Sequence, residues 1–122
     1  MTITAKTETK VLVVDDNDLV RRCLKKMLER NGFSVVDHCS GAAALNSNID
    51  DVWLAILDVD MPHMTGLELS YLLKEFNSTI KIILFSAHNP LSVEDVKKAK
   101  ADAFVKKEDD ISSLMEKINS LT

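Results

Sequence analysis

Val52-Trp53-Leu54-Ala55-Ile56-Leu57-Asp58-Val59-Asp60 is the stretch that decides the fold. Six apolar residues run without polar alternation and then end in carboxylates. A strand with water on one face alternates; an unbroken apolar run of this length fits a strand covered on both faces, as in a parallel sheet. The same grammar stands earlier, at Val11-Leu12-Val13-Val14 followed by Asp15-Asp16.

Working outward, strand and helix signals alternate five times. After the first strand, Asn17 or Asp18 can cap a helix. Leu19, Val20, Cys23, Leu24, Met27 and Leu28 make its apolar stripe, with Arg21, Arg22, Lys25, Lys26, Glu29 and Arg30 opposite. Asn31-Gly32 is its stop signal. Phe33 to Asp37 is a weaker second strand, and Ser40 can cap a short helix over 41–45. The loop 61–66 carries Pro62 and Gly66, and the third helix follows with a stripe of Leu69, Leu72, Leu73 and Phe76. Lys81 to Phe85 is the fourth strand. Asn89-Pro90 breaks the chain before a helix near Val93 to Lys100, capped by Ser92. Ala103-Phe104-Val105 is a fifth strand, and Ile111, Leu114, Met115, Ile118 and Leu121 line a last helix.

Strands alternating with helices call for an α/β doubly wound parallel sheet. Five such units predict a five-stranded, flavodoxin-like (βα)5 fold of order 2-1-3-4-5. Ligands of that class bind beyond the carboxyl ends of the strands, where the order reverses between strands 1 and 3. Asp15-Asp16 ends strand 1 and Asp58-Val59-Asp60 ends strand 3, so both acidic clusters flank one crevice.

The bulk numbers fit this and narrow the function. The 122 residues suit one domain with a real core. A net charge of -4 gives no electrostatic footprint for nucleic acid. Met1 to Lys10 has no apolar signal-peptide core, and no apolar run is long enough to span a bilayer, so a cytoplasmic protein is expected. Cys23 and Cys39 have no metal spacing and read as reduced, packed thiols. His38 and His63 have no ligand partner at useful spacing.

Carboxylates crowded into one crevice repel and raise one another's pKa values; a hard cation such as Mg²⁺ removes that cost with oxygen ligands. Ser86 ends strand 4 and Lys106-Lys107 follows strand 5. Carboxylates with a metal, a hydroxyl and an ammonium suit a phosphoryl group, and a carboxylate in that setting can be the nucleophile. Asp58, ending the most apolar strand, is the central candidate, with Asp15 and Asp16 better placed for the metal. Asp15-Asp16 alone could be acids favoured by a helix dipole; the second cluster tips the balance toward a site.

Val13-Val14-Asp15-Asp16, Leu57 through Gly66, Ser86-Ala87 and Ala101 through Lys107 together resemble the receiver domain of two-component response regulators, of the chemotaxis-regulator kind. The resemblance covers Lys10 to Leu121 and implies a single receiver domain over 1–122, with a core of about 10–121 and no output domain present. It implies that Asp58 is the phosphoacceptor for a histidine kinase or phosphotransfer protein. Asp16 would ligate Mg²⁺ directly and Asp15 through water, with Asp58 and the backbone carbonyl of Asp60 completing the ligands. Ser86 would be the switch hydroxyl, Phe104 the switch aromatic, and small Ala87 would leave the phosphoryl group reachable. The family spacing from Phe104 and strand alternation both select Lys107 for the phosphoryl contact, with Lys106 as the alternative. A downstream protein partner would use the helix 4, strand 5 and helix 5 face, without direct nucleic-acid or membrane binding. Such a domain is not an enzyme beyond its own phosphorylation and dephosphorylation.

Departures from the family pattern carry expectations too. Glu108 stands where a proline with a cis bond is common. A cis bond there would cost about 2.5–4 kcal/mol, so trans is expected. Lys100 replaces a common glycine, and Phe104 replaces the commoner tyrosine. Asp60 and His88, two positions beyond Asp58 and Ser86, are expected to set the dephosphorylation rate. Two other functions compete. Ile56 to Asp60 is similar to the first motif of haloacid-dehalogenase phosphatases, although that motif normally ends a first strand. A phosphorylation-independent interaction module would keep the fold alone.

Overall fold

A computed structural model describes residues 10–87, 92–107 and 111–122. The elements alternate strictly: β1 (Lys10–Val14), α1 (Asp18–Arg30), β2 (Ser34–His38), α2 (Gly41–Leu45), β3 (Val52–Asp58), α3 (Gly66–Phe76), β4 (Lys81–Ser86), α4 (Val93–Lys98), β5 (Ala103–Lys106) and α5 (Ile111–Leu121). The five strands form one parallel sheet in the order β2-β1-β3-β4-β5. The sequence expectation of a 2-1-3-4-5 doubly wound sheet is met. Asn89-Pro90, His88 and Glu108 lie outside the described residues.

Period-2 alternation in the strands sorts the core into two layers. Leu12, Val14, Ala55, Leu57, Ile82 and Leu84 face α2 and α3, meeting Ala44, Leu69 and Leu73. Val11, Val13, Leu54, Ile56, Ile83, Phe85 and Val105 face α1 and α5, meeting Leu24, Leu28, Leu114 and Ile118. β3 lies centrally and is buried at six of its seven positions, which is why its sequence is apolar up to Asp58.

The caps fix where helices begin and so aim the loops at the carboxyl edge. Asn17, not Asp18, caps α1, its side chain accepting from the Val20 N–H. Ser40 and Ser92 cap α2 and α4. Thr65 and Glu68 form a reciprocal capping box at α3. Gly66 is needed for a different reason: a Cβ there would overlap the carbonyl group of Asp58 and come within 2.9 Å of the Val59 Cα. Only glycine lets α3 start this close to the end of β3.

Three apolar expectations are corrected. Leu19 is 71% exposed because it sits in the first turn of α1, beyond the sheet's edge. Leu72 and Phe76 lie on the flank of α3, turned from the sheet that Leu69 and Leu73 meet, and are also exposed. Cys23 and Cys39 are exposed, not packed. Among the described helices, α4 alone contributes no residue to the buried core within its span, and Val93 is 73% exposed.

Candidate functional site

The carboxyl edge of the sheet collects the polar groups. Asp15 and Asp16 follow β1, Asp58 is the last residue of β3, Ser86 the last of β4, and Lys107 follows β5. Asp15, Asp58 and Ser86 are 1%, 5% and 2% exposed, while Asp16 is exposed. Burying two carboxylates is costly unless they are paired, and the pairing is visible. Lys107 Nζ lies 2.7 Å from Asp15 Oδ2 and 3.2 Å from Asp58 Oδ1.

Each of these side chains is aimed by its backbone. The Asp15 N–H donates to the His38 carbonyl at 3.2 Å, extending the β1–β2 ladder by one step. Asp15 Oδ1 accepts from the Asn17 N–H at 2.9 Å. That leaves Oδ2, which is buried, without a well-directed hydrogen bond; its contact with Lys107 is ionic. The Lys107 N–H donates to the Ser86 carbonyl at 2.8 Å, carrying the β4–β5 ladder one residue past the Lys106–Ser86 register pair. This places the Lys107 side chain on the side of Val105, and it is Lys107 that reaches the two carboxylates.

The electrostatics follow from burial. Desolvation, reinforced by the negative charge of Asp15, pushes the Asp58 carboxyl up from 3.8 to about 6, against the opposing pull of Lys107. Burial alone would lower the Lys107 ammonium, but the charges of Asp15 and Asp58 outweigh it and hold the value above the ordinary lysine range. One carboxylate oxygen from each of Asp15, Asp16 and Asp58 falls within 4.8 Å of the others. Three converging anionic oxygens fit a hard divalent cation better than they fit one another.

The remaining predicted residues surround this cluster. Asp60 is exposed, with Oδ2 3.4 Å from Ser86 Oγ, a long contact. Ala87 is exposed beside Ser86. Phe104 is half-buried, opposite Leu84 in the sheet, and packs against the α2–α3 layer of the core. One participant escapes the sequence pattern. Arg21, placed by periodicity on the polar face of α1, donates to the Asp15 carbonyl at 2.8 Å. Its signal was available only as a combination: Asp18 one turn earlier and Asp37 at the end of the neighbouring strand, both of which it pairs with.

Fold and site together define a flavodoxin-like α/β domain with an acidic, lysine-bridged cluster at its switch point. Comparison with known proteins narrows that class. The response regulator receiver domain family matches residues 11–119, and the chain belongs to it. It is 40% identical to the transcriptional regulatory protein FixJ of Azorhizobium caulinodans, over 82% of this chain and 49% of that protein. It is 34% identical to the transcriptional regulatory protein CseB of Streptomyces avermitilis, over 93% of this chain and 49% of that protein. The chain thus spans about half the length of these curated relatives. The crystal structure of the response regulator TrrA of Thermotoga maritima, in complex with Mg²⁺-BeF, superposes with a TM-score of 0.85 at 31% identity, covering 93% of this chain and 99% of that one. The chain is therefore a receiver domain of a two-component response regulator, the first of the three readings weighed above. No described helix is long and apolar enough to cross a membrane.

Proposed function

We propose that Asp58 accepts a phosphoryl group from a phosphohistidine of a histidine kinase or phosphotransfer protein, and that the modified domain then switches a partner. The observation that carries this reading is the buried Asp15–Lys107–Asp58 bridge beside Asp16. It keeps a nucleophilic carboxylate, a cation site and an ammonium within one contact of each other. An Asp58 oxygen attacks phosphorus, a P–O bond forms as the donor's P–N bond breaks, and the departing imidazole nitrogen keeps the electron pair and takes up a proton.

Asp16 and Asp58 would hold Mg²⁺ directly, Asp15 largely through water, with the Asp60 backbone carbonyl completing the protein ligands. Bound there, Mg²⁺ supplies neutralisation of the phosphoryl oxygens' charge. The Mg²⁺-BeF complex of TrrA supports this choice of ion. Lys107 then exchanges its contact with Asp58 for one with a phosphoryl oxygen. Ser86 turns its hydroxyl to the same group, Phe104 follows inward, and exposed Ala87 leaves the way open. Asp60, together with His88, governs the lifetime of the acyl phosphate.

The output is carried by α4, β5 and α5. Because no residue within α4 is fully buried and Val96 alone packs partly against the core, it is the helix cheapest to shift. Phosphorylation biases a pre-existing equilibrium there, by its differential affinity for the two arrangements. The test is incubation with acetyl phosphate and Mg²⁺. Mass spectrometry should show one added phosphoryl group, absent without Mg²⁺ and absent in Asp58→Asn. Catalytic turnover of a generic phosphate ester would instead favour the phosphatase reading.

A further inference from the structure

Arg21 is the most highly connected charged side chain near the site that the proposed chemistry does not use. Its guanidinium donates to three acceptors at once: the Asp15 carbonyl at 2.8 Å, Asp37 Oδ2 at 3.0 Å and Asp18 Oδ1 at 2.6 Å. Its side chain is only 13% exposed. The three acceptors belong to the β1–α1 loop, to β2 and to the first turn of α1. They meet at one planar fork that a lysine cannot reproduce.

The contact with the Asp15 carbonyl matters most. That oxygen belongs to the rigid peptide plane joining Asp15 to Asp16. Fixing it fixes the orientation from which both acidic side chains project. The other side of the plane's approach is also held, by the Asp15 N–H on the His38 carbonyl of β2. Asp37, which grips Arg21, lies one residue before His38. β2 and Arg21 therefore clamp the acidic turn from both ends. The charge balance is equally specific. A bare guanidinium behind a cation site would repel the cation, but here two carboxylates, Asp18 and Asp37, already offset it. The residue supplies rigidity with little opposing field.

We infer that Arg21 is a positioning residue for the divalent-cation site, holding the Asp15–Asp16 peptide through its clamp on Asp37. The inference rests on the Mg²⁺ reading proposed above. Lys25, which also pairs with Asp37, at 3.6 Å, brings the same charge to the same carboxylate and so serves as the comparison for charge.

The experiment is an amide NMR titration of the intact chain with MgCl₂ alone, on wild type, Arg21→Met, Arg21→Lys, Asp37→Ala and Lys25→Met. Arg21→Met should weaken Mg²⁺ binding about tenfold, the low end for loss of an outer-shell partner. Asp37→Ala, which removes one of the three guanidinium acceptors and also uncovers its charge, should weaken it in the same direction. Arg21→Lys, which keeps the charge and loses the planar fork, should weaken it as Arg21→Met does, which charge alone would not do. Lys25→Met should bind as wild type does. With acetyl phosphate, Arg21→Met should show a raised Mg²⁺ half-saturation and a recovered rate at saturating Mg²⁺, a split that general destabilisation would not give. Wild-type affinity in both Arg21→Met and Asp37→Ala overturns the inference, and so does an equal loss in Lys25→Met. If Arg21→Met does not fold, the charge-conserving Arg21→Lys against Lys25→Met decides: wild-type affinity in Arg21→Lys overturns the inference. A wild-type chain with no Mg²⁺-dependent shifts overturns the metal reading itself, and this inference with it.

Discussion

The Lys107 ammonium stands 3.2 Å from Asp58 Oδ1 and closes, through its second contact with Asp15, a buried three-charge bridge between β1, β3 and β5. Without Lys107 the two carboxylates would face each other with no counter-charge. Lys107→Met should therefore destabilise the Mg²⁺-free domain by about 3–5 kcal/mol at pH 7, the scale for breaking a buried pair from one side. Added Mg²⁺ should recover part of the loss. Urea unfolding with and without MgCl₂ measures both effects.

Asp58→Asn should have the opposite sign. The Asp58 carboxyl titrates near 6 in the folded domain against 3.8 ordinarily, because it is buried beside Asp15. Between those values the folded state holds more protons than the unfolded one, so stability falls as pH rises through the window. The penalty is absent below about pH 4 and complete above about pH 6. At about 1.4 kcal/mol per pH unit, its full size is at most roughly 3 kcal/mol. Asp58→Asn should thus stabilise the Mg²⁺-free domain by roughly 1–3 kcal/mol at pH 7 and by almost nothing at pH 4. Denaturant midpoints across that range check the slope; equal gains at both pH values would refute it.

Two glycines separate rigid from yielding neighbours. A Cβ at Gly66 would overlap the Asp58 backbone, which cannot withdraw without moving the end of β3. Gly66→Ala should cost about 1–3 kcal/mol, the range for forced overpacking, and should also slow phosphorylation, because the displaced backbone carries Asp58. A Cβ at Gly41 meets the Sδ of Met64 at 2.5 Å, the far end of a flexible side chain. Gly41→Ala should stay within about 1 kcal/mol of wild type. Thermal melts and acetyl phosphate labelling of both variants compare the two cases directly.

The order of elements was legible in the sequence because parallel strands buried on both faces are written as apolar runs, as in 52–57. The carboxylates were legible because they interrupt those runs at the strand ends. Choosing Lys107 over Lys106 took the family spacing from Phe104, with which strand alternation agrees. The contacts of Arg21 were not legible from α1 alone, which shows Arg21, Arg22, Lys25 and Lys26 as one basic face. Arg21 stands out only once the fold brings Asp37 of β2 to 3.0 Å and the Asp15 carbonyl to 2.8 Å from its guanidinium. Leu19, Leu72 and Phe76 misled for a related reason. Helical periodicity marks a stripe, but not how far the sheet extends beneath it.

Lys100 offers a gain in stability that the sequence already marked by its departure from glycine. Its φ is +60°, in the left-handed region, at the turn between α4 and β5. An L side chain there costs on the order of 1 kcal/mol relative to glycine. Against this stand an ion pair with Glu75 at 3.4 Å and a cation–π contact with the Tyr71 ring at 5.2 Å. Both Lys100 and Glu75 side chains are more than half exposed, so the pair contributes little. The turn itself is held by backbone bonds that glycine keeps, from the Lys100 N–H to the Lys97 carbonyl and from the Ala101 N–H to the Val96 carbonyl. Lys100→Gly should therefore stabilise the domain by about 0.5–1 kcal/mol. Lys100→Ala, which loses the same side-chain contacts but retains the Cβ, should destabilise it slightly. The order Gly above Lys above Ala in urea midpoint isolates the backbone effect from the surface pair; a Lys100→Gly midpoint below wild type would show that the contacts with Glu75 and Tyr71 outweigh the strain.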